Sequence, residues 1–288
     1  MKQYLSLVKF SHTIFALPFA VLGYFLAYAQ LGVDWSWRTF GLILLCMVFA
    51  RSAAMAFNRY LDRDIDALNP RTAVRDIPSG RVSPRQAMVF ILINSLLFVG
   101  CTWLINPLCF ALSPLALLIV LGYSYTKRFT FLCHFVLGLG LSLAPIGSYL
   151  AAGGGFDALP LLYAGVVLLW VSGFDILYAL QDEEFDRENN LYSVPTWLGR
   201  KRAMVLSSVL HIGCGVLVLI GTSMLFELPG AIFYWIQAVA AVLFVSLLVY
   251  QHRLVSPDDI SRVDLAFFTT NGVASVVFCG LVVLDVFV

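Results

Sequence analysis

Charge is scarce in this sequence: Asp, Glu, Lys and Arg make up 12% of its 288 residues, against about 25% in an ordinary soluble domain. With 60% hydrophobic residues and a mean hydropathy of +0.89, the chain has too little polar surface to cover a water-soluble fold, so it belongs in a membrane. Segments of about ten residues with alternating polarity, the mark of a transmembrane β-barrel, are missing. The apolar residues come instead in unbroken runs of about 18 to 23, so helices must span the bilayer. No Lys/Arg run forms a basic face and the net charge is +1, which gives no reason to expect a nucleic-acid partner. None of the six cysteines (Cys46, Cys101, Cys109, Cys133, Cys214, Cys279) forms a CxxC pair or sits at metal spacing from a histidine. They read as small lipid- or core-facing residues.

What is present is a set of nine candidate spans, at about 11–30, 40–61, 85–105, 108–125, 131–152, 159–180, 203–222, 229–250 and 265–286, forming one polytopic domain over 1–288. Ala27-Tyr28-Ala29 imitates a signal-peptide cleavage site, but the apolar stretch before it exceeds the usual 7 to 15 residues of about such a segment, so the first span is expected to stay. Sixteen of the eighteen Lys and Arg residues fall at the N-terminus or at the connections that follow even-numbered spans. That asymmetry predicts a multi-pass protein of the inner (cytoplasmic) membrane, N-terminus cytoplasmic and C-terminus outside. The other two are Arg38, on the opposite side, and Arg51.

Arg51 lies near the middle of the second span, about 15 Å from either end at 1.5 Å per residue. Burying it costs at least about 2.5 kcal/mol, so an anionic partner or a wet cavity is expected beside it, and a structural ion pair is the plainer alternative. Asp175, within the sixth span, poses the same question with the opposite sign.

The acids gather in two connections on the expected cytoplasmic side. After the second span comes Asn58-Arg59-Tyr60-Leu61-Asp62-Arg63-Asp64-Ile65-Asp66, and after the sixth Tyr178-Ala179-Leu180-Gln181-Asp182-Glu183-Glu184-Phe185-Asp186. Asp62 with Asp66, and Asp182 with Asp186, stand at i and i+4, on one helical face. Asn58 and Tyr178 come one turn earlier in each run. Like charges at this spacing repel, so a cation should sit between them. Oxygen-only ligands suit Mg²⁺ carrying substrate phosphate oxygens. A single acidic run is commonly just a solvated helix end; its recurrence in one register points to metal. Nearby, the polar, Pro/Gly-punctuated stretch Asn69–Arg81 predicts a structured loop offering Arg71 and Arg75. Tyr123 and Lys127 repeat the i, i+4 spacing. Such cations stabilise the charge of a departing phosphate, although any one of them could be merely topogenic.

These residues carry a resemblance. The NxxxDxxxD run ending at Asp66, the RTxxRxxPSG stretch from Arg71 to Gly80, the Tyr123/Lys127 pair and the DxxYAxQDxxxD run from Asp175 to Asp186 are jointly similar to the UbiA superfamily of intramembrane prenyltransferases, over nearly the whole chain. The resemblance implies an all-α ring of helices around a central cavity, capped by the polar connections. It also implies Mg²⁺-dependent transfer of a prenyl group from a polyprenyl diphosphate to an aromatic acceptor. Carried over by position, Asn58, Asp62, Asp66, Asp182 and Asp186 would hold the metal. Arg71, Arg75, Tyr123, Lys127 and Tyr178, with Asn58, would bind the diphosphate. Arg51, Lys9 and Asp175 would line the acceptor side, Arg51 meeting a carboxylate. The four motif aspartates and Lys127 would carry catalysis. One departure is Arg59, where the family often has an acid. A step of one residue turns about 100° around the helix, so Arg59 need not face the metal. The cluster Arg200-Lys201-Arg202 reads as an anchor for the seventh span.

Physical needs then shape the chemistry. Ionising an allylic carbon–oxygen bond requires stabilisation of the departing diphosphate, and the cation formed must be kept from water, as a greasy cavity does. A hydroxylated aromatic acid would attack through the carbon ortho to its hydroxyl, with a motif carboxylate such as Asp62 as a candidate base. The tail would lie along apolar helix faces towards membrane lipid. The pattern resembles members acting on 4-hydroxybenzoate for ubiquinone, and also relatives acting on a dihydroxynaphthoate for menaquinone. A secondary transporter with Arg51 and Asp175 on its path is the different-class alternative, but Gly/Pro-broken inverted halves are not evident. The DGxxAR signature of CDP-alcohol phosphotransferases is absent.

Overall fold

The computed structural model describes residues 15–226 and 234–287. These form α1 (Leu17–Leu31), α2 (Trp37–Leu61), a short α3 (Arg63–Leu68), α4 (Pro84–Ile105), α5 (Pro107–Thr126), α6 (Cys133–Ala151) and α7 (Ala158–Ala179). A 3₁₀ turn (Leu180–Asp182), a short α8 (Glu183–Glu188), α9 (Val194–Phe226), α10 (Tyr234–Leu254), a π-helical turn (Leu265–Thr270) and α11 (Asn271–Phe287) follow. Eight of the described helices are long and apolar enough to cross a membrane, whereas α1 is apolar but described over only fifteen residues. The ninth expected span therefore stands here as a shorter apolar helix.

Local chemistry sets the helix ends. Ser36 caps α2 by accepting the Thr39 N–H at 3.2 Å, Ser83 and Gln86 close a capping box ahead of Pro84 in α4, and Asn106 caps α5 through Cys109 N–H at 2.8 Å. Each satisfies a backbone donor that a helix start leaves open. In α9, Gly199 adopts φ 75°, ψ 162° and divides the helix, a conformation that glycine reaches without a Cβ penalty. The basic cluster Arg200–Arg202 opens the longer part, with Arg200 Nε on Glu183 Oε2 at 2.8 Å.

The long helices pack in a closed order, α1–α2–α4–α5–α6–α7–α9–α10–α11 and back to α1, and α1 also packs across the ring on α6. The interior is thereby divided. Around α7, α9, α10 and α11 it is filled by Tyr163, Trp170, Phe244 and Phe278. Between α2, α4, α5 and α6 it opens into a cavity of about 340 Å³. Close helix approach does the packing that hydrophobicity cannot do in lipid: a Cβ at Gly138 of α6 would lie 2.6 Å from the Leu168 carbonyl oxygen of α7. Large side chains such as Leu96, Trp103 and Leu118 are exposed on the outer faces, where acyl chains would meet them.

Candidate active site

At one end of the ring the two acidic runs and the Asn69–Arg81 loop form a polar cap. Neither run is a continuous helix. Asp62, at φ −86° and ψ 1°, joins α2 to α3, and Asp182, at φ −104° and ψ 1°, joins the 3₁₀ turn to α8. Both lead aspartates thus occupy the sparsely used bridge region, where the chain turns between a long helix and a six-residue one. The i, i+4 relation survives the turn in the first run, since the Asp66 N–H still donates to the Asp62 carbonyl at 2.7 Å.

Cations meet these carboxylates directly. Asp62 is buried and receives Lys127 Nζ at 2.7 Å on Oδ2 and Arg128 Nη1 at 3.0 Å on Oδ1, with Asn58 Nδ2 donating at 3.1 Å to Oδ2. Asp66, also buried, takes Arg75 Nη1 at 2.5 Å on Oδ1, while its Oδ2 is buried without a partner. Asp182 receives both Nε (3.1 Å) and Nη2 of Arg71, and Asn69 Nδ2 at 3.4 Å. Arg71 Nη1 also donates to the Tyr178 hydroxyl at 3.4 Å. Burial opposes the charge of Arg71, and Asp182 with Tyr178 overcomes it, so its pKa is raised. Among the described residues Asp186 has no such direct cation; burial first and the Asp182 charge next push its carboxyl up to about 6, against the pull of Lys127 and His134.

The loop is therefore the strap that ties the two runs together: Arg75 reaches the first and Arg71 the second. It is itself held by the Thr72 hydroxyl on the Asp66 carbonyl (3.0 Å) and by Arg81 on Asp76 (2.9 Å). Tyr178 is backed by Phe267, stacked at 4.0 Å between centroids. Phe267 belongs to the π-helical turn, whose Ala266 and Phe267 carbonyls are met by Asn271 Nδ2 at 3.3 and 2.9 Å. A π-turn of this kind often marks a functional site.

Below the cap, Arg51 and Tyr123 line the 340 Å³ cavity, whose other walls are almost wholly apolar. Arg51 Nε is buried without a hydrogen-bond partner, and Arg51 makes no ion pair among the described residues, so the mid-membrane charge faces the cavity. Asp62, Arg59 and Asp175 all bear on the Tyr123 phenol, which stands between cavity and cap. Asp175 is not free in the cavity wall as its sequence position suggests: its Oδ2 lies 2.6 Å from His134 Nδ1. Lys9 lies outside the described residues.

Sequence reasoning missed several members of the site. Arg128, one of the sixteen positive charges on the expected cytoplasmic side, shares Asp62 with Lys127. Asn69 stood only as the first residue of the expected loop, and His134 carried no signal. Arg59 is the instructive case, because it is buried and within the field of Asp62, Asp66 and Tyr123. Its offset from Asn58 suggested another face, but Asp62 follows it at i+3, within one helical turn.

The donor set suits Mg²⁺: hard carboxylate and amide oxygens only, with Asp66 Oδ2 buried and unsatisfied. Among the described residues no three carboxylate, imidazole or thiol groups yet converge as an ion site. Four cations, Arg71, Arg75, Lys127 and Arg128, hold Asp62, Asp66 and Asp182 instead. An arriving dication would have to take these carboxylates from them.

Comparison with known proteins places this geometry. A model of the UbiA prenyltransferase family matches residues 16–273. The 4-hydroxybenzoate octaprenyltransferase of Aeromonas hydrophila is 32% identical over 233 residues, covering 81% of this chain and 79% of that protein. The protein of the same description from Photobacterium profundum is 29% identical over 240 residues, 83% of this chain and 81% of its own. Among solved structures, the apo form of a UbiA homologue from Aeropyrum pernix K1 has a TM-score of 0.83 at 32% identity, covering 95% of this chain and 98% of that one. A UbiA homologue from Archaeoglobus fulgidus bound to GPP and Mg²⁺ has a TM-score of 0.72 at 21% identity, covering 99% and 100%, a likeness of fold.

Proposed function

The chain belongs to the UbiA prenyltransferase family, and from that premise we propose that it transfers a polyprenyl group from a polyprenyl diphosphate to a ring carbon of 4-hydroxybenzoate or a closely related hydroxylated aromatic acid. The observation that carries the reading is the strap: Arg71 and Arg75 join two aspartate runs into one polar site, directly above a cavity with a single buried, partly unsatisfied guanidinium. The names of the relatives support 4-hydroxybenzoate as the acceptor.

In this reading Asn58, Asp62, Asp66, Asp182 and Asp186 would hold Mg²⁺, which would supply Lewis-acid stabilisation of the diphosphate. Arg71, Arg75 and Lys127, each paired with a motif carboxylate, are placed to donate to phosphate oxygens. Arginine suits this role because its planar fork pairs with phosphate as well as with carboxylate. Such fixed donors, already aimed at the site, favour the charge that accumulates on the leaving group. Tyr178, held between Phe267 and Arg71, and Tyr123, at the mouth of the cavity, contribute hydroxyls to the same layer.

The apolar cavity takes the proximal prenyl units and keeps water from the allylic carbon as its bond to oxygen breaks. Arg51 offers its free Nε to the acceptor carboxylate, and that ion pair fixes which ring carbon lies against the allylic carbon. The polar cap faces the cytoplasm, where the soluble acceptor and diphosphate are supplied, and the tail runs towards membrane lipid.

Incubating the purified protein with Mg²⁺, a polyprenyl diphosphate and a panel of aromatic acids tests the reading by mass spectrometry of the product. A carbon-prenylated 4-hydroxybenzoate, formed only with Mg²⁺, is expected. A product formed on a dihydroxynaphthoate alone would keep the chemistry and move the acceptor; no prenylated arene from any acid would defeat the proposal.

A further inference from the structure

Forming a carbon–carbon bond at an aromatic ring leaves a proton that must be removed, and the cap carboxylates are committed to cations or to metal. Resting on the function proposed above, we propose that Asp175 is the base that takes this proton and that His134 is the positioning residue that holds it in place.

The placement follows from helix geometry. Asp175 lies within α7, seven residues before Asp182 and so about two turns deeper in the bundle, the last of them the 3₁₀ turn Leu180–Asp182. Arg51 precedes Asn58 by the same seven. One carboxylate on α7 and one guanidinium on α2 thus each lie about two turns beneath the metal-binding layer, where the acceptor ring would sit. Tyr123, a cavity-lining residue beside Arg51, feels the Asp175 charge.

The contacts orient the carboxylate. His134 is buried, and its Nε2 accepts the Val194 N–H at 3.2 Å. A lone pair is needed there, so the ring proton resides on Nδ1 and is donated to Asp175 Oδ2 at 2.6 Å. Ser172 fixes the helix carrying His134 through its carbonyl at 3.3 Å. One oxygen of Asp175 is therefore anchored. The other makes no hydrogen bond with a described residue, and the side chain is 22% exposed. An aspartate held by one oxygen and open at the other is arranged to accept a proton.

The step balances. The allylic carbon–oxygen bond breaks with its electron pair leaving on the diphosphate, and a ring carbon supplies the pair for the new carbon–carbon bond. The carbon–hydrogen bond at that carbon then breaks, its electrons restore aromaticity, and the proton moves to the open oxygen of Asp175. His134 does not relay it, because its far nitrogen is already occupied by Val194.

The test compares wild type with Asp175→Asn, Asp175→Glu and His134→Gln, using the full chain, Mg²⁺, a polyprenyl diphosphate and the aromatic acid that the wild type prenylates, with its ring positions carrying hydrogen or deuterium. Asp175→Asn should lower kcat by about 10²- to 10⁴-fold, the range of a lost general base, leaving KM for the diphosphate unchanged. Asp175→Glu should recover part of it. His134→Gln should lower kcat less and raise the ring-deuterium isotope effect above that of the wild type, which a merely structural residue would not do. That variant carries the test should Asp175→Asn fail to fold. Turnover of a folded Asp175→Asn within threefold of wild type, a raised acceptor KM at unchanged kcat, or an isotope effect unmoved in His134→Gln would overturn the assignment. A wild type that prenylates no aromatic acid would overturn the underlying function and this inference with it.

Discussion

Arg71 reaches across 111 residues of chain to Asp182, donating Nε to Oδ1 at 3.1 Å and Nη2 to the second oxygen. The pair closes the polar cap from the loop side, and the same guanidinium lies 5.8 Å from the Tyr178 ring centroid. A lysine cannot make both bonds at once.

Arg71→Ala should accordingly weaken prenyl diphosphate binding by about 10- to 100-fold, the scale of a charge-assisted hydrogen bond of about 1.5 to 3 kcal/mol. Arg71→Lys should recover only part of that. Steady-state KM for the diphosphate, measured at saturating acceptor, checks it; the acceptor KM should not follow.

Asp62→Asn and Asp182→Asn keep the side-chain shape and remove the charge. Each should lower kcat by at least about 10²-fold, as loss of a major electrostatic contribution does, while the protein stays monodisperse in detergent. Activity and size-exclusion profiles together check this, since a misfolded variant would fail both.

Much of this cap is legible in the sequence alone. The recurrence of Asp at i and i+4 marked both runs, the Pro/Gly punctuation of 69–81 marked the loop, and the lone Arg51 marked the cavity. What stayed hidden depended on contacts distant in sequence. No local pattern says that Arg75 meets Asp66, that Arg71 meets Asp182 and that Arg128 shares Asp62 with Lys127. The breaks at Asp62 and Asp182 were also invisible, because periodicity carries through them. His134 looked like any buried histidine until its two nitrogens could be assigned partners. The spans were found readily because a bilayer demands long apolar runs, but their starts at Trp37 and Pro107 are decided by Ser36 and Asn106, single caps that hydropathy does not register.

Arg75 neutralises Asp66, whose side chain is only 5% exposed. Arg75→Ala leaves a buried carboxylate unpaired, a change worth about 3 to 5 kcal/mol. The variant should melt earlier than wild type without divalent ions and recover much of the difference in Mg²⁺. A thermal-shift series with and without the ion checks both halves.

Arg51→Leu removes the cavity's guanidinium while keeping an apolar lining. It should raise the acceptor KM by at least about tenfold and leave the diphosphate KM within about threefold, in keeping with loss of one charge-assisted contact. Equal effects on both substrates would place Arg51 elsewhere in the reaction.

Gly138→Val places a branched side chain where even a Cβ would come within 2.6 Å of the Leu168 carbonyl. Overpacking of this kind costs about 1 to 3 kcal/mol or more, and the α6–α7 contact also carries His134 and Asp175. The melting temperature in detergent should fall, and turnover with it.

The central claim is that both aspartate runs act on one metal-bound diphosphate, and the most direct measurement is the Mg²⁺-dependent binding of a non-ionisable prenyl diphosphate analogue to wild type, Asp66→Asn, Asp186→Asn and the double variant. Each single variant should lose most of the Mg²⁺-dependent affinity, and the double variant should lose little more, because the two sites serve one ligand. Full Mg²⁺-dependent affinity in either single variant would contradict the account.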